Sequence, residues 1–203
     1  FSTLLCMLII ILTLSPIFSG EYSIGADRLI ITSGKRIQAI KSKLITALVF
    51  TAAVSVLFYA EDILITGILY GIDCFDAPIY ALKEYVDCPF DIPIWAAVLI
   101  SFSGRLLFIF CFSSVVCALS SLFKNTAASL VASIGFGVLI VVLSDILPNE
   151  LDITSLIYMT DYYSDFLVCN IFGIPVFALI AVIAVALLLS AVSVLFTIRR
   201  ALR

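Results

Sequence analysis

FSGEYSIGADRLIITSGKRIQAIKSK, residues Phe18 to Lys43, carries five of the eleven Lys and Arg residues of an otherwise oily chain and lies between two long apolar runs. Loops rich in Lys and Arg stay on the cytoplasmic side of a membrane, so this stretch predicts which side is inside. Within it Tyr22, Gly25/Ala26 and Leu29/Ile30 recur at helical spacing, while Glu21, Ser23 and Asp27 fall off that stripe. The pattern predicts a short amphipathic helix lying in the interface. Thr32-Ser33-Gly34 interrupts it, and Ser33 can cap a second helix that starts near Lys35, carries Arg36, Lys41 and Lys43 through the headgroup region and continues as a span.

The composition agrees with a membrane setting. Of 203 residues 64% are hydrophobic, 12% are charged and none is His, and the mean hydropathy is +1.27; soluble domains carry roughly 25% charged residues. A span needs about 20 apolar residues, which predicts an all-α polytopic protein with five spans near 1–18, 44–71, 93–123, 126–147 and 173–198. Residues 19–43 form the cytoplasmic segment, and 72–92 and 148–172 form outer loops of one transmembrane domain. The first outer loop holds five acids (Asp73, Asp76, Glu84, Asp87, Asp91) against Lys83, and the second holds four acids and no Lys or Arg. Basic residues gather instead in 18–43, at Lys124 and at Arg199, Arg200 and Arg203, so a multi-pass cell-membrane protein with a cytoplasmic C-terminus is expected. With five spans Phe1 would lie outside; a further span before it would make six and return the N-terminus to the cytoplasm.

Several functions are excluded on residue type. The segregation of acids from bases leaves no basic surface suited to nucleic acid outside the membrane-anchoring segments. Without His there is no histidine base and no zinc site of His/Cys type, and neither a Walker loop nor a G-x-S-x-G elbow occurs. No catalytic, cofactor or metal site is expected, nor an enzyme.

The charges inside the apolar runs stand out. Glu61 and Asp62 lie about ten residues before the outer end of their span, about 15 Å at the helical rise, and Arg105 lies at a matching depth in the next. Charges within a bilayer need partners, so Arg105 is expected to pair with Glu61 or Asp62, either as a structural clamp or as part of a translocation path. Of the cysteines, Cys6, Cys111 and Cys117 fall in spans as small buried groups, while Cys74 and Cys88 flank one outer loop and are candidates for a disulfide, with Cys169 as a third outer cysteine.

At its opening segment the chain resembles the membrane subunits of ABC-2 type ABC transporters. In that family a span ends in F-x-x-E-x-x-x-G, here Phe18, Glu21 and Gly25; a small polar break follows, here Thr32/Ser33 with Gly34 where relatives carry Pro; then come a basic residue, Arg36, and a Lys leading into the next span, Lys41 or Lys43. The resemblance implies that Glu21 to Ile31 is a coupling helix docking on a separate cytoplasmic ATPase, with Glu21, Gly25, Asp27, Arg28 and Arg36 at the contact. It also implies that ATP is bound by that partner and that a second permease subunit, identical or not, completes a transporter exporting a hydrophobic or amphipathic substrate. From another class, the acidic, aromatic outer loops fit a non-transporting immunity or sensor protein that binds a peptide.

Overall fold

A computed structural model describes residues 2–25, 36–71, 75–86, 88, 91–144, 146, 153–158, 162, 168–171 and 174–201. The elements are α1 (Ser2–Leu14), α2 (Pro16–Ile24), α3 (Arg36–Tyr70), α4 (Ile94–Leu122), α5 (Thr126–Ser144), the single turn α6 (Ser155–Tyr158), the strands β1 (Val168–Ile171) and β2 (Ile174–Phe177), and α7 (Ala178–Ala201). Five helical stretches are long and apolar enough to cross a membrane: Ser2–Ile24, Ile37–Leu69, Ile94–Leu122, Thr126–Ser144 and Ala178–Arg200. The protein is an all-α polytopic membrane protein.

Contacts divide the chain into two compact units: Phe1–Phe58, Ile109–Ile140 and Leu187–Arg203 form one, and Tyr59–Phe108 with Val141–Ala186 form the other. In the first unit the best-covered helix is the broken one. Half of the apolar part of Ser2–Ile24 is buried, against a third or less in the other spans. Its break has a local cause. Pro16 has no N–H and ends one ladder of hydrogen bonds while starting the next, and Ser15 stands between them without capping α2 through its own side chain. The first N–H groups of a helix have no partner within it, and here the cap comes from α4: Ser120 Oγ accepts from Phe18 N at 3.0 Å and Ser19 N at 3.3 Å. Ser120 Oγ in turn donates to the Ser15 carbonyl at 2.6 Å, where the hydroxyls of Ser19 (2.8 Å) and Ser129 (2.9 Å) also converge. All four serines are buried, so these bonds replace the water that the kinked backbone lacks. Gly137 of α5 lies in the same unit, where a Cβ would meet Ile11 Cδ1 at 3.4 Å and Phe112 Cζ at 3.8 Å; small residues such as Ser129, Ser133 and Gly137, all buried on this helix, allow that close approach.

The second unit is built on the far part of α3 and the first part of α4. Gly71 takes φ 79°, ending α3 in a left-handed turn that costs a glycine nothing. The chain then passes through two 3₁₀ turns, Ile79–Ala81 and Lys83–Tyr85, and is tied back to the start of α4 by Ile79 N to Ile92 O, Ile94 N to Ala77 O and Trp95 N to Phe75 O. In the other part of the unit Tyr162 is buried, with its hydroxyl 2.6 Å from Ser155 Oγ and its ring edge-on to Phe177.

The last span differs from expectation at its beginning. Residues 174–177, predicted as its first turn, instead form β2, paired antiparallel with β1 in the register Val168↔Phe177 to Ile171↔Ile174. Pro175 and the β-branched Ile174 and Val176 favour an extended edge strand over a helix start, so α7 begins at Ala178. The fourth span closes at Ser144, ahead of the expected Leu147, which lies outside the described residues.

Candidate functional site

Two ion pairs mark the two regions of chemical interest. The first joins the ends of the basic stretch. Lys43, two turns past Arg36's end of α3, forms a salt bridge with Glu21 near the end of α2, donates to the Ile17 carbonyl at 3.1 Å and lies 4.9 Å from the centre of the Phe18 ring. Three contacts therefore hold one ammonium group against one helix turn. Gly25 follows with φ 76°, its N–H turned back onto the Glu21 and Tyr22 carbonyls. The stripe read from Tyr22 toward Leu29/Ile30 is thus broken at Gly25: Glu21 and Tyr22 belong to the helix that continues the first span, because a left-handed residue ends an α-helix. Asp27 and Arg28 lie outside the described residues, and Arg36 is described only as the first residue of α3.

The second pair sits in the other unit. Arg105 Nη1 donates to Asp62 Oδ2 at 2.5 Å. Of the two carboxylates that the sequence offered, Asp62 is the one that meets Arg105, while Glu61 is exposed. The choice follows from helix geometry: consecutive residues point about 100° apart, so only one of the two can face α4. The arginine side chain is 6% exposed and the aspartate 37%. The guanidinium also lies 5.7 Å from the Tyr59 ring centre, and Tyr59 itself packs on Phe102 with centroids 4.6 Å apart and donates its hydroxyl to the Val98 carbonyl at 2.6 Å.

Beside this pair opens a cleft of about 240 Å³ whose walls include Tyr59, Asp62, Thr66, Gly67, Gly71 and Phe75. Tyr59, Asp62/Ile63, Thr66/Gly67 and Gly71 recur at i, i+3/i+4, i+7/i+8 and i+12 along α3. That periodicity was legible and passed over, because the apolar run around it reads as an undifferentiated span. Phe75 and the Val98 carbonyl are brought in by the loop ties to α4, which no local pattern announces. The Cys74–Cys88 pairing falls on residue 74, outside the described residues, while Cys6, Cys111 and Cys117 are buried within helices. Among the described residues no three His, Cys, Asp or Glu side chains group closely enough to hold a metal ion.

No family model, no curated protein and no solved structure matches the chain. Function must be argued from the two pairs and the cleft.

Proposed function

We propose that the chain is the membrane-spanning subunit of an ATP-driven transporter of the ABC-2 type, with its basic end in the cytoplasm and its acidic loops outside. The observation that carries this reading is the anchoring of Lys43 on Glu21, the Ile17 carbonyl and Phe18. It ties the end of the first span to the start of the second across the basic segment, so a force applied to residues between them is delivered to both helices. A permease that carries no nucleotide site must receive its work through such a surface. The resemblance of Phe18, Glu21, Gly25, Arg36 and Lys43 to the family's coupling segment supports the same assignment. In this reading a separate cytoplasmic ATPase binds the ATP, a second permease subunit completes the pathway, and the substrate is hydrophobic or amphipathic and is exported.

The test is gentle extraction of the protein from its native membrane, with recovery of the ATPase compared between wild type, Glu21→Ala and a double charge reversal, Asp27→Arg with Arg28→Asp. Recovery with wild type and loss in the variants, at equal expression and insertion, supports the assignment. Failure to recover an ATPase with any form favours a peptide-binding immunity or sensor protein instead.

A further inference from the structure

We propose that the cleft beside Asp62 binds a substituted ammonium group carried on an apolar body. Three properties of the cleft point to that chemistry. Its walls are largely apolar, and Tyr59 and Phe75 supply aromatic surface on which a poorly hydrated cation is attracted by the ring quadrupole. Among the described residues that line it the charged one is Asp62, whose side chain is 37% exposed, whereas the Arg105 side chain that balances it is 6% exposed. An entering ligand meets the acid and not the base. The neighbouring chain carries more acid than base: Glu61 is the next residue and exposed, and Asp76 and Asp91 are exposed on the loop that follows α3, as is Lys83.

Size narrows the ligand. At about 240 Å³ the cleft is smaller than the roughly 300–1,000 Å³ of sites that enclose a drug-sized molecule. It takes one head group or ring and leaves the remainder of the ligand outside. Asp62 lies within the apolar helical stretch Ile37–Leu69, which suits a molecule whose charged group enters the cleft and whose body is apolar. The proposal rests on the permease reading only in calling such a molecule the transported one; binding itself does not depend on it. A lipid with a choline headgroup and a free amphipathic amine share this chemistry.

The test uses the full chain in nanodiscs of anionic phosphatidylglycerol, with benzyltrimethylammonium as probe, neopentylbenzene as its neutral isostere and benzenesulfonate as an anion of similar size. The cation should bind at least tenfold more tightly than either. Gly67→Leu, which fills the cleft without touching a charge, should weaken it tenfold at unchanged thermal stability. Because Asp62→Asn alone removes the charge that balances the buried Arg105 and can prevent folding, the charge variant is the exchange Asp62→Arg with Arg105→Asp. That variant keeps a pair and should reverse the preference toward benzenesulfonate. Equal binding of the three probes, indifference to Gly67→Leu, or a folded exchange variant that still prefers the cation would overturn the proposal. Weaker probe binding in phosphatidylcholine discs would identify the headgroup as a competing ligand, and equal binding would identify a free amphipath. Cation binding without any recovered ATPase sinks the permease reading and leaves this site standing; an ATPase recovered with no cation binding does the reverse.

Discussion

The two ion pairs use the same chemistry to different ends. Glu21 and Lys43 are 31% and 19% exposed, so water shares the load on both partners. The Asp62–Arg105 pair is lopsided, with the acid at 37% and the base at 6%. A pair wetted on both sides contributes little to stability and can be opened and remade; a pair with one buried member cannot lose the other without leaving a charge where water does not reach. The first is suited to a joint that passes force between helices, the second to a fixed point beside a cleft.

The largest effect expected from this contrast is therefore asymmetric. Asp62→Ala should cost about 3 kcal/mol, because it removes the carboxylate that balances a covered guanidinium, whereas Arg105→Ala should cost about 1 kcal/mol, since the carboxylate that remains is the less covered member of the pair. Thermal unfolding of the two variants in the same nanodiscs measures the difference; equal losses would mean that the two ends of the pair are equally covered. Next comes Ser120→Ala, which removes the acceptor of Phe18 N and Ser19 N and should cost about 2 kcal/mol, as expected for buried N–H groups left unpaired. Ser120→Thr, which keeps the hydroxyl, should recover most of that loss.

Smaller again is Gly25→Ala. A side chain at φ 76° strains the backbone by about 1 kcal/mol, and the signature that separates this from general damage is a loss of partner recovery before any loss of folding. The least effect on stability belongs to Glu21→Ala, about 0.5 kcal/mol. Raising salt to about 1 M, where the screening length falls to about 3 Å, should erase even that difference while leaving the Asp62→Ala penalty nearly intact. A salt response of equal size at both pairs would remove the distinction drawn between them.

Much of the molecule was legible in the chain. The five apolar runs follow from residue type and spacing, because a bilayer forces about 20 apolar residues per crossing whatever the neighbours do. Arg105 and the Glu61-Asp62 step were legible as a cluster for the same reason: a charge in an apolar run demands a partner at matching depth. The start of the last span was misread because Ile174-Pro175-Val176-Phe177 is as apolar as the helix after it, and hydropathy does not distinguish a paired strand from a first turn. The end of α2 was not legible because Gly25 has no side chain to reveal that its backbone is left-handed, and the rest of that stripe, Leu29 and Ile30, lies outside the described residues.

What the sequence determined by itself is the class of the protein, its five crossings and the segregation of its charges, since these depend on the solvent and on local spacing alone. The tertiary structure decided which carboxylate Arg105 meets, that Ser120 caps a helix about a hundred residues before it, and that Lys43 closes on Glu21. Each of those choices depends on how one helix is rotated against another. A rotation of one residue's worth would have put Glu61 where Asp62 is, and no local pattern fixes it; packing does.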